Sequence, residues 1–182
     1  PNTESIVTSN PDIIHKADRV VFPGQGAMPD CIREMDEKGL REVVISSAKT
    51  KPFLGICIGL QMLFDFSEEG NVEGLGLLKG KVRRFVKRVD SDMKIPHMGW
   101  NNVEQNSNHP LWSNVKNNDR FYFVHSYFVN ESDQSIVQGL TNYDVSFTSA
   151  VAKDNLFAVQ FHPEKSGDAG LKILSNFVSW KC

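Results

Sequence analysis

Cys57 stands between two glycines, Gly55 and Gly59, and a hundred residues later His162 and Glu164 are separated by a single proline. A thiol needs a base to take its proton before it attacks an electrophilic carbon, and the base works best when a third group orients it. Cysteine, histidine and glutamate fill the roles of nucleophile, base and orienter. Phe53 and Leu54 ahead of the cysteine suit a buried strand, and Leu60, Met62, Leu63 and Phe64 after it suit a partly buried helix, so the thiol falls on the corner between them. Glycines at 55 and 59 allow the close approach and unusual backbone angles of such an elbow. A helix N-terminus there is expected to favour thiolate over thiol and to offer N–H groups to an oxyanion. Pro163 is expected to hold its segment extended, so that His162 and Glu164 project to one side.

The elements around these residues must bring them together. Residues 19–22 read as a short buried strand ended by the loop Pro23-Gly24-Gln25-Gly26. Two helices follow, one from about Pro29 with Ile32 and Met35 inward, the other with Leu40, Val43 and Val44 on one stripe. This β-α-β-α order predicts an α/β fold whose mostly parallel central sheet is flanked by helices. The ligand crevice is expected at the carboxyl ends of the strands, where Cys57 lies. Beyond residues 74–77 shorter, additional strands are expected at 82–86, 121–129, 135–140 and 146–153. A turn at 154–155 then makes a hairpin with 156–161. Ser166 is placed to cap a last helix whose Leu171, Leu174, Phe177 and Val178 form one apolar face.

At 182 residues the chain suits one domain, residues 1–182. A net charge of −2 and the lack of a long basic run give no general attraction to nucleic acid or to an anionic membrane. The local cluster Arg83, Arg84, Lys87 and Arg88 reads as a solvated edge strand. Cys31, Cys57 and Cys182 fit neither a disulfide framework nor a metal site, which favours a reducing cytoplasm, and no apolar run approaches the ~20 residues of a membrane span. His15 and His109 read as loop or surface residues. Trp100, in the segment 96–101, is of a type enriched at interface hot spots.

Five segments carry a resemblance across most of the chain: Pro23-Gly24-Gln25-Gly26-Ala27, Gly55-Ile56-Cys57-Ile58-Gly59-Leu60-Gln61, Pro96-His97-Met98-Gly99-Trp100-Asn101, Tyr122-Phe123-Val124-His125-Ser126-Tyr127 and Gln160-Phe161-His162-Pro163-Glu164-Lys165-Ser166. With them the chain resembles the class I glutamine amidotransferases, and among these the glutaminase subunits of imidazole glycerol phosphate synthases. The resemblance implies a Cys57-His162-Glu164 triad that hydrolyses glutamine without a cofactor or metal. It also implies an oxyanion and substrate site around Gly24, Gly26, Ile58, Gln61, Glu69, His125, Ser126 and Tyr127. The implied partner is a (β/α)8-barrel cyclase in a heterodimer, met through Pro96, His97, Met98, Trp100, Asn101 and Lys165, which takes the ammonia for histidine synthesis. Two rivals are a paralogous amidotransferase feeding another synthase, as in surface-sugar amidation, and a non-catalytic binding subunit. The family's first strand and helix are not visible ahead of residue 18, so the domain is expected to lack them.

Overall fold

Phe53 to Cys57 form a strand buried along its whole length, and the architecture grows outward from it. The computed structural model describes residues 3–182. The first half contains α1 (Pro11–Lys16), β1 (Val20–Gly24), α2 (Met28–Glu37), α3 (Arg41–Thr50), β2 (Phe53–Cys57), α4 (Ile58–Gln61), β3 (Phe66–Ser67), β4 (Val72–Glu73) and β5 (Gly80–Arg84). The second half contains β6 (His97–Asn102), β7 (Glu104–Gln105), β8 (Arg120–His125), β9 (Tyr127–Glu131), β10 (Val137–Tyr143), β11 (Val145–Lys153), β12 (Leu156–Val159) and α5 (Gly167–Ser179). Among the described residues no helix is long and apolar enough to cross a membrane.

The main sheet runs β1-β2-β12-β11-β9-β5-β3-β4, with β10 and β7 branching from β11, while β6 and β8 make a separate antiparallel pair. β1, β2 and β12 are parallel, in a register that pairs Gly24 with Cys57 and Val159 with Ile56. Their carboxyl ends therefore lie side by side, and the chain leaving each one borders the same space. Beyond β12 the sheet continues antiparallel through β11, β9 and β5, after which β3 pairs parallel to β5 and β4 antiparallel to β3. The hairpin turn at Asp154 and Asn155 joins β11 to β12 as the sequence predicts, with Asp154 at φ +51. Leu54, Phe157 and Ala158 are fully buried at the centre of the core.

Several elements differ from expectation, each for a physical reason. β1 does not stop at Pro23 but runs through Gly24, because a proline without an N–H is tolerated on an edge strand. The helix after Cys57 is one turn long. The carbonyls of Met62, Leu63 and Phe64 accept instead from the amides of Leu75, Leu77, Leu78 and Gly76, so a tertiary contact replaces the helical ladder. The stretch 121–129 is two strands, parted at Ser126, with β8 pairing β6 and β9 pairing β5 and β11. The strand β5 is not an edge, since β9 and β3 flank it, although Arg83 and Arg84 are exposed as expected. Along α5 the inward face is Gly170, Ile173 and Phe177, while Leu171 is exposed. A Cβ on Gly170 would stand 1.9 Å from the Pro163 carbonyl oxygen, and this contact sets the rotation of the helix.

Candidate active site

The elbow at Cys57 is set by what its neighbours lack. A Cβ on Gly59 would stand 1.9 Å from the carbonyl oxygen of Phe22, and one on Gly24 would stand 2.7 Å from Cβ of Ile58. Bare backbone is the only way for β1 and α4 to meet. Cys57 itself takes φ +54, a left-handed angle that costs a non-glycine residue energy and is tolerated where the surroundings over-determine it. The price in ionisation runs against the expected thiolate. Burial is the largest influence on the thiol and pushes its pKa from 9.0 up to about 11, against the weaker downward pull of the Ile58 amide and the Gln160 side chain. One helical turn cannot offset that desolvation, so Cys57 rests as a thiol.

His162 and Glu164 are brought together by a 3-10 turn over Pro163–Lys165 rather than by extended chain. Nδ1 of His162 lies 2.8 Å from Oε1 of Glu164. A carboxylate there fixes Nδ1 as the protonated nitrogen and leaves the lone pair on Nε2, which is buried without a partner among the described residues. Three bonds hold the segment: the His162 amide donates to Tyr122 O at 2.9 Å, Ser166 Oγ donates to His162 O at 2.6 Å, and the Tyr122 amide donates to Ser166 Oγ at 2.9 Å. Ser166 does sit at the N-terminus of α5, but its hydroxyl is committed here and does not cap the helix.

Cys57 and His162 open onto one cavity of about 420 Å³. Its walls include Gly24, Gly26, Cys57, Ile58, Gln61, Glu69, His125, Ser126, Tyr127 and His162, which the sequence predicts for the site, together with Gln25 and Val124, which it does not. Pro96 and Lys165, expected at a partner interface, also line it. Met98 and Trp100 are exposed on β6, as a docking surface requires. His97 is not available to a partner: it is buried, stacked 3.9 Å from Tyr143, with Nδ1 3.0 Å from Nε2 of His125. Asn101 is half-buried and donates to Asn142 O at 2.9 Å. Glu69 is half-buried, and its Oε2 accepts from the Met28 amide at 2.8 Å, tying the start of α2 to the cavity wall.

The model of the family "Glutamine amidotransferase class-I" matches residues 2–180. The chain belongs to that family. It is 60% identical to the protein named imidazole glycerol phosphate synthase subunit HisH of Nitrosospira multiformis, over 100% of this chain and 87% of that one. It is also 60% identical to the protein of the same name in Aromatoleum aromaticum, over 99% of this chain and 87% of that one. Among solved structures, one described as a glutamine amidotransferase superposes with a TM-score of 0.66 at 17% identity, covering 94% of this chain and 85% of the other. The glutaminase domain of Trypanosoma brucei CTPS with bound acivicin superposes with a TM-score of 0.62 at 18% identity, covering 94% and 75%. These distant likenesses bear on the fold alone.

In this class I amidotransferase chain, the loop after β1 turns on a glycine. Gly26 sits at φ +89, a backbone angle open to glycine, and a Cβ there would meet nothing within 4 Å. His109, read as a loop or surface residue, is half-buried: its Nδ1 accepts from the Leu111 amide and its ring lies against Phe157 and Trp180. Among the described residues no cluster of three or more histidine, cysteine or carboxylate side chains is spaced to hold a metal ion. Gln160, assigned no role from the sequence, is fully buried with Nε2 3.7 Å from Cys57 Sγ. The signal that could find it is a polar residue closing an otherwise apolar strand, Leu156-Phe157-Ala158-Val159.

Proposed function

We propose that the chain hydrolyses glutamine through Cys57, His162 and Glu164, as the glutaminase subunit of an imidazole glycerol phosphate synthase. The relatives that carry that subunit's name, at 50–60% identity over nearly the whole chain, support the pathway. The observation that carries the chemistry is a histidine with one nitrogen on a carboxylate and the other buried and free, opening on the same cavity as a thiol. His162 Nε2 takes the Cys57 proton as sulfur attacks the side-chain carbonyl carbon of glutamine. The imidazolium so formed is stabilised by Glu164. The tetrahedral oxyanion is held by N–H groups of the 23–26 loop and of Ile58, and it collapses as His162 gives its proton to the departing nitrogen. Ammonia leaves and a glutamyl thioester remains. His162 then takes a proton from water, hydroxide attacks the thioester, and glutamate departs as the thiol is restored.

The ammonia passes to a cyclase partner, a (β/α)8 barrel forming a heterodimer with this chain. That partner docks over Met98, Trp100, Pro96 and Lys165 and uses the nitrogen in histidine biosynthesis. The experiment is Cys57→Ala in the complex: glutamine-dependent turnover is lost, while turnover with added ammonium salt stays near the parent rate. A variant that still hydrolyses glutamine at a near-parent rate would overturn the assignment of the nucleophile.

A further inference from the structure

A polar chain of fixed direction runs behind the cavity and ends on the sulfur. The Tyr127 carbonyl oxygen can only accept, and it receives two donors: Gln61 Nε2 at 3.0 Å and His125 Nδ1 at 2.7 Å. The second N–H of Gln61 Nε2 goes to Gln160 Oε1 at 3.0 Å. Turning the Gln61 amide over would set its oxygen against two acceptors, so its orientation is fixed, and through it that of Gln160. With Oε1 engaged, Gln160 has only its Nε2 to offer Cys57 Sγ, 3.7 Å away. On the other branch His125 Nε2 accepts from His97 Nδ1 at 3.0 Å, and His97 Nε2 is left to accept from Asn101 Nδ2 at 3.3 Å. Every donor on both branches is aligned by one carbonyl.

We infer that Gln160 is a positioning residue for the hydrolysis, acting through Cys57: its amide, oriented by Gln61, donates to the sulfur and stabilises the thiolate that forms during attack. Gln160 is wholly buried, and its side chain is held at Oε1 by Gln61 and at Nε2 by the sulfur, while its backbone amide is bonded to Ser149 O at 2.9 Å. A buried sulfur cannot draw on water to stabilise its charge. A preorganised amide N–H does that without reorganisation at the moment of reaction. Donation to an ionised acceptor is about twice as strong as donation to a neutral one, so the bond favours thiolate over thiol. Burial, the largest influence on Cys57, acts in the opposite sense, and Gln160 is among the few groups that counter it.

The inference rests on Cys57 being the nucleophile, and the test keeps the two apart. Gln160→Glu retains an acceptor for Gln61 but removes the donor from the sulfur. Gln160→Met removes both at similar volume. Each is compared with the parent in the complex with its cyclase partner by the pH dependence of iodoacetamide alkylation, with the labelled cysteine located by mass spectrometry, and by steady-state glutamine hydrolysis. Cys31 and Glu164 near the sulfur, and Glu69, His125, His162 and Lys165 around the cavity, are the same in all three proteins. In both variants the expected result is Cys57 alkylation at pH 8 slowed about tenfold or more, with its midpoint raised by about one pH unit. The kcat falls by a similar factor, and KM for glutamine stays within about twofold. A folded Gln160→Glu protein whose alkylation profile superimposes on the parent's would overturn the role of Gln160, as would a rise in KM with no shift of the profile. If Gln160→Met does not fold, Gln160→Leu takes its place, because an ionised carboxylate at position 160 raises the midpoint by itself and only the uncharged variant isolates the lost donor. Parent protein that hydrolyses glutamine after Cys57→Ala would remove the premise instead.

Discussion

A pair of buried histidines and a third, His162, are held by opposite kinds of partner in this protein. His97 and His125 pack among Phe85, Phe123, Tyr143 and Phe147, and each ring nitrogen is bonded to a neutral group. Burial pushes His97 down to about 4 and His125 to about 3, so both remain uncharged. His162 is equally hidden from solvent, but one of its nitrogens meets the Glu164 carboxylate and the other meets nothing. A histidine whose nitrogens are both committed to neutral partners is structural. A histidine with one nitrogen on a carboxylate and a free lone pair on the other is the one we propose as the base.

The sharpest way to break this contrast is His162→Ala, expected to lower glutamine turnover in the complex on the order of 10⁴-fold or more, read as glutamate release. Glu164→Gln keeps a hydrogen bond to Nδ1, and its side chain is 46% exposed to water, so the loss should be milder by roughly a hundredfold. Equal losses in the two, with the fold intact, would give Glu164 a more direct part than orientation.

Trp100→Ala tests the other face of the strand that carries His97. Trp100 is 48% exposed, and as an aromatic anchor it should weaken affinity for the partner about 10- to 100-fold, measured by titration calorimetry, while glutaminase chemistry in the saturated complex is retained. An unchanged affinity would move the docking surface elsewhere.

The smallest effect is the pH dependence of stability. Burial depresses His97 and His109 to about 4 from 6.5. Below pH 6.5 the unfolded chain takes up protons that the folded one refuses. The stabilisation they provide is thus complete above about pH 6.5 and is lost as pH falls toward 4. Urea midpoints between pH 7 and 4 should decline for the parent and decline less for His97→Gln and His109→Gln. Parallel slopes would remove these histidines from the linkage.

The elbow and the His-Pro-Glu segment are legible in the sequence because local chemistry dictates them: glycines where backbones touch, and two functional groups separated by one residue. The parallel pairing of β1, β2 and β12 follows from the same apolar runs. What the sequence hides depends on distant partners. Nothing near residue 126 announces that β8 and β9 join different sheets. Nor does anything near Met62 announce that residues 75–78 will take the carbonyls a longer helix would have used. His97 is taken for an interface residue through the resemblance of segment 96–101, and Met98 and Trp100, one and three positions after it on the strand, do face outward, while its own ring turns inward to an aromatic cluster assembled from other strands and loops.

The protonated state of Cys57 also bears on how the protein ages. Peroxide and other oxidants attack thiolates, and a thiol whose pKa is pushed up to about 11, at 5% exposure, is a poor target. Cys182 is exposed, so oxidative damage meets it before the nucleophile. A stored preparation should therefore become cross-linked or sulfenylated at Cys182 while its glutaminase activity endures.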